Sequence, residues 1–139
     1  GGYIVMEIAR ELGNMGIKLK DGTTIIRRVN FLGLYDAVDM VLGYGEDETI
    51  PANVNNAAHA MGLESVGSRP YFNTADHGPE DITKMLRYAE EYFDATHGGL
   101  GGNPWGGDNP IGMTEERDRV GSLQVDNWMR DQASMAGIF

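Results

Sequence analysis

Two titratable residues stand where short apolar runs end. Asp36 follows VNFLGLY, residues 29–35, and His97 sits inside EYFDATHGGLGG, residues 91–102. Each run has the length and the β-branched or aromatic content of a buried strand, and each is too short for a typical helix. In open parallel sheets, ligands and catalytic groups gather at the carboxyl ends of strands. An Asp and then a His presented there match, in order, the last two members of a Ser…Asp…His triad. In that arrangement the carboxylate fixes the imidazole tautomer, and the imidazole takes the serine proton. The glycines after His97 permit close backbone approach and a loop that can reach a nucleophile.

The competing candidates are weaker. Asp is common in the turn after a strand, so Asp36 also has a purely structural reading, and Asp39 is its nearest rival as the acid. His59 lies one residue after an apolar stripe, as a partly buried helix histidine would. His77 lies in a polar loop and could line a substrate mouth. The serines are Ser65, Ser68, Ser122 and Ser134, and none lies in G-x-S-x-G. Gly67-Ser68-Arg69 imitates part of a nucleophile elbow, but Pro70 follows where a glycine and then a helix are needed.

No cofactor or metal is expected. The loops GEDET and GGDNP offer oxygen ligands but follow no calcium-loop spacing, so they read as solvated acidic loops. The three His include no i, i+4 helical pair to seed a zinc site. The glycines of residues 98–107 lack a following Lys-Ser/Thr and a G-x-G-x-x-G that opens a helix, so they do not form a phosphate loop.

The elements that position Asp36 and His97 follow from periodicity. Residues 3–15 predict an amphipathic helix, with Ile4, Ile8, Leu12 and Met15 on one face and Gly16 as its stop. Gly1 and Gly2 before it suit a backbone that passes very close to another element. Residues 17–26 predict an exposed hairpin turning at Asp21-Gly22. After the strand over 29–35, Pro51 predicts a helix to about Met61, with Val54, Ala57, Ala58 and Met61 as its stripe. Residues 76–81 predict the start of another helix carrying Ile82, Met85, Leu86 and Ala89. A strand over 91–96 precedes an irregular loop, 98–113, in which Trp105 should pack down. The last helix is expected over 119–136, ended by Gly137. Residues 43–51 and 98–113 are the candidate lids. The order helix, strand, helix, helix, strand, helix predicts an α/β fold with parallel pairing.

Composition bounds the partners. The 139 residues suit one domain or part of a larger one, and 41% hydrophobic with 23% charged residues is globular. A net charge of −10 argues against nucleic acid, which requires a basic surface. No cysteine is present, which excludes disulfides, thiol catalysis and Cys-type zinc sites. No apolar run is long enough to span a bilayer and no signal peptide is visible, so a transmembrane segment is not expected. The compartment stays open between the cytoplasm and secretion as an effector.

LGLYDAV, Arg69-Pro70, YFDATHGGLGG and the closing VDNWMRDQASMAGIF together resemble a group of bacterial α/β-hydrolase-like domains, similar to the phospholipase effectors of type VI secretion. Their hallmark is an elbow, G-x-S-R-G-[AG]-Y, followed directly by a helix. The opening GGYIVMEIARELG looks like the last three positions of that elbow and the helix behind it. The resemblance implies a partial α/β-hydrolase-type parallel sheet flanked by helices, with residues 1–139 forming the C-terminal part of a larger domain. It implies Asp36 as triad acid and His97 as general base of a serine esterase or lipase, acting on a small-molecule or lipid ester. It places Ser and Arg immediately before Gly1, so activity needs the upstream half of the domain or a partner chain. A trypsin-like cut after that Arg would produce this N-terminus. Family members often carry a carboxylate two residues after the His, where this chain has Gly99. The alternative is a non-catalytic acidic interaction module derived from a hydrolase fold.

Overall fold

A computed structural model describes residues 2–39, 49–63, 66, 73–74, 78–107 and 110–139. Helix α1 spans Gly2–Asn14. It ends as expected at Gly16, whose φ of 71° is a left-handed conformation that costs glycine least. Strands β1 (Ile17–Lys18) and β2 (Thr24–Ile25) form the expected antiparallel hairpin, turning through Gly22 at φ 88°. Strand β3 is Val29–Tyr35 and is followed by β4, Val38–Asp39. Then come β5 (Val54–Gly62), β6 (Asn73–Thr74) and β7 (Arg87–Phe93). A short helix α2, His97–Leu100, precedes the long helix α3, Glu115–Met135.

The fold is α/β. Its centre is a three-stranded parallel sheet in the order β3-β5-β7, while β4 and β6 form a separate small antiparallel pair. Side chains alternate across a strand, so β3 divides its residues between two layers. Leu32 and Leu34 join Met6 and Ala9 of α1, while Phe31 packs with Met129 and Val125 of α3 on the other side. Gly33 also faces α3, since a Cβ there would come within 3.0 Å of the Met129 sulfur. Burying each large apolar side chain in these two layers stabilises the chain by roughly 1.5–3 kcal/mol. Asn53 ties the sheet to α1 by donating to the Ala9 carbonyl at 2.7 Å, and Asn30 ties it to α3 by donating to the Ala136 carbonyl at 3.0 Å.

Two expected helices are corrected. The segment predicted as a helix from Pro51 to Met61 is instead β5, the central strand. Val54, Ala57, Ala58, Ala60 and Met61 are all buried, because α1 covers one face and α3 the other. A strand buried on both faces shows no alternation, and its small residues mimic a helical stripe. The segment predicted as a helix carrying Ile82 to Ala89 is a single 3₁₀ turn, Ile82–Lys84, capped by Asp81, and then β7. Its supposed apolar stripe is not a buried face, since Ile82 and Leu86 are exposed. The strand expected over 91–96 therefore begins earlier and ends at Phe93. The last helix begins one turn earlier than expected, with Thr114 accepting from the Arg117 N–H as its cap.

Candidate functional site

The turn after β3 is built against the central strand. The Asp36 N–H donates to the Ala60 carbonyl at 2.7 Å. One residue on, the Ala37 N–H donates to Nε2 of His59 at 3.1 Å. His59 is therefore a neutral imidazole at this point, buried within β5, rather than the partly buried helix residue expected. Asp36 itself has φ 43°, in the left-handed region that non-glycine residues rarely adopt. Its carboxylate is buried, and Oδ1 accepts the Gly62 N–H at 3.2 Å.

Oδ2 of Asp36 lies 2.9 Å from Nδ1 of His97. The two sequence candidates are thus in direct contact, across the carboxyl ends of β3 and β7 with β5 between them. The Asp36 side chain is 5% exposed and that of His97 is 48% exposed. A buried carboxylate acceptor holds the proton on Nδ1 and leaves Nε2, which makes no hydrogen bond among the described residues, as the basic nitrogen. Among the described residues the only hydrogen-bond partner of the His97 ring is Asp36, and neither of the described serines, Ser122 and Ser134, is bonded to it. Asp39 lies in β4, with its side chain outside the described residues. His77, Ser65, Ser68, Arg69, Pro70 and loop residues 43–48 also lie outside them.

The loop bearing His97 is anchored from below by a residue that sequence reasoning missed. Asp118 on α3 is 0% exposed. Its Oδ1 accepts the Thr96 N–H at 2.7 Å, and its Oδ2 accepts the Thr96 hydroxyl at 2.9 Å and the Trp105 N–H at 2.7 Å. Gly99, where the resemblance would place a carboxylate, lies against this one, and a Cβ there would overlap the Asp118 Oδ1. A sequence signal existed. Asp118 precedes Gly121, Val125 and Met129 at three-, seven- and eleven-residue spacing, all on the buried stripe of α3. The helix expected over 119–136 begins one residue after Asp118 and leaves it off the stripe.

An open cleft of about 650 Å³, within the range of small-molecule sites, is lined by Tyr35 and Leu100 from the same segments, while neither Asp36 nor His97 lines it. Leu100, Pro104 and Leu123 give it apolar wall, while Tyr35, Arg119 and Asp126 give it polar groups. Burial pushes the Tyr35 phenol above its ordinary value, the charge of Asp126 adds to the push, and Arg130 opposes it. Among the described residues no three His, Asp or Glu side chains come together as a metal site, and no helix is long and apolar enough to cross a membrane.

Comparison with protein-family models, curated proteins and solved structures returns no match.

Proposed function

We propose that this chain supplies the acid and base of a serine hydrolase of α/β-hydrolase type, acting on a carboxylic ester, with lipid or phospholipid esters as the substrate class. The observation that carries the proposal is the 2.9 Å contact between Asp36 Oδ2 and Nδ1 of the half-exposed His97. In the proposed reaction Nε2 takes the proton of a serine hydroxyl as its oxygen attacks the ester carbonyl. The same nitrogen then returns that proton to the leaving alcohol as the acyl-enzyme forms. Asp36 holds the tautomer and stabilises the imidazolium between the two steps. Water, activated by the same imidazole, releases the acid.

The serine is proposed to lie in a segment preceding Gly1, in the same protein or in a partner chain. The first turn of α1 supports this, because Gly2 packs so closely on Ala37, next to Asp36, that a Cβ would come within 2.5 Å of the Ala37 Cβ. A residue leading into α1 therefore arrives at the end of the sheet that carries the pair. The two sheet edges also differ. β7 has Arg87, Glu90 and Glu91, as protected edges do, whereas β3 has no charged side chain and is paired only with β5 among the described residues. An added strand beside β3 would satisfy that edge.

Fluorophosphonate labelling tests the proposal, applied to this chain and to a longer product containing the upstream segment, with mass spectrometry of the labelled peptide. The expected result is a labelled serine just before Gly1 in the longer product and no labelling of this chain alone. Absence of labelling in both would sink the hydrolase and favour the non-catalytic interaction module.

A further inference from the structure

We propose that Asp118 is the positioning residue for His97, a buried carboxylate that clamps both ends of the loop carrying the base. The functional meaning of this clamp rests on the hydrolase reading, but its geometry does not. One end of the loop is Thr96, immediately before His97, and both its N–H and its hydroxyl donate to Asp118. The Thr96 hydroxyl oxygen in turn accepts the Gly99 N–H at 3.0 Å, closing the first turn of α2 on which His97 sits. The other end is Trp105, whose N–H donates to Asp118 Oδ2 while its φ is 61°.

Two further observations separate a clamp from an ordinary buried carboxylate. Among the described residues, Asp36 and Trp105 are the non-glycine residues with positive φ, and both belong to this constellation. Strained conformations of this kind persist only where surrounding contacts over-determine them. In addition, the buried polar side chains among the described residues are Asp36, Asn56, His59, Thr96, Asp118 and Gln132. Asp36, His59, Thr96 and Asp118 form two matching supports, His59 beneath the acid and Asp118 beneath the base. A solvated imidazole on a glycine-rich loop would otherwise sample many orientations, only one of which puts Nδ1 on Asp36.

The test is proton exchange at His97 Nδ1, read by nitrogen-correlated magnetic resonance on the histidine-labelled 139-residue chain. The variants are Asp118→Asn, Thr96→Val and Thr96→Ser, and the methyl signals of Met6 and Met61 report whether the core is folded. In the parent the Nδ1–H is expected to be protected by Asp36. Asp118→Asn and Thr96→Val should speed its exchange with water by roughly tenfold or more, the equivalent of losing a hydrogen bond to a carboxylate. Thr96→Ser, which keeps the hydroxyl, should restore protection. If Asp118→Asn loses the core signals, Thr96→Val decides the matter. Unchanged exchange in a folded variant, loss of protection in Thr96→Ser, or free exchange in the parent would each overturn the clamp. A longer product that takes no fluorophosphonate while this exchange pattern holds would remove the hydrolase and leave the clamp standing.

Discussion

The buried imidazole of His59, in the middle strand, accepts its hydrogen bond from the backbone of Ala37, the residue after Asp36. The acid of the candidate pair is thus held by a side chain from the neighbouring strand, 22 or more positions away in sequence.

His59→Leu should strand the Ala37 N–H without an acceptor in a buried site. The expected destabilisation is about 1–3 kcal/mol. Urea unfolding of the two chains measures it. Equal midpoints would mean that the Ala37 N–H finds another acceptor.

Asp36→Asn tests the proposed tautomer in a longer product, if that product takes the fluorophosphonate label. The amide can present an N–H to Nδ1, which would then carry no proton and leave it on Nε2. Turnover of an ester should fall by a factor on the order of 10⁴ with substrate binding little changed. Comparable loss of KM and kcat together would instead indicate general disruption of the turn.

Tyr35 gives a pH dependence with a definite sign. Its folded value is raised above the ordinary 10.0 by burial. Above pH 10 the unfolded chain therefore loses this proton before the folded chain does, and stability falls as pH rises from 10 through the folded value. Below pH 10 the group contributes no slope. Tyr35→Phe should remove this part of the alkaline slope. Unfolding midpoints across that window, with and without the substitution, provide the measurement.

The outer face of α1 tests the proposed upstream half. Ile8 is exposed, in an apolar groove with Ile4, Leu12 and Met15. Ile8→Glu should change the stability of this chain by no more than about 0.5 kcal/mol, as exposed substitutions do. In the longer product the same change should lower the melting temperature, because the added segment is expected to cover this face. Equal behaviour in both would show that the face stays in water.

Gly121 lies where α3 crosses the end of β7, and a Cβ there would collide with the Asp94 carbonyl. Gly121→Ala should destabilise by about 1–3 kcal/mol, as overpacking does. Thermal unfolding checks it. A neutral result would mean that the helix can shift outward at no cost.

Much of the site was legible because its signals are local. A short apolar run that ends in one polar residue marks a strand end wherever it occurs, and Asp36 was readable on that basis. His97 was readable too, although its strand ends at Phe93 and His97 sits in the first turn of α2. The hairpin at Asp21-Gly22, β3 and the body of α3 were also written in periodicity and turn chemistry. So was the existence of the opening helix, although Ile4, Ile8 and Met15 of its expected face are exposed and Met6 and Ala9 are buried instead.

What the tertiary structure decided is whatever depends on being covered from two sides. The stretch Val54–Gly62 carries a helical pattern by its alanines, and only burial between α1 and α3 makes it the central strand. His59 and Asp118 look like ordinary polar residues of helical segments. They become supports for the segments of Asp36 and His97 because the parallel sheet brings residues far apart in sequence to one end, where a buried polar atom must find a partner.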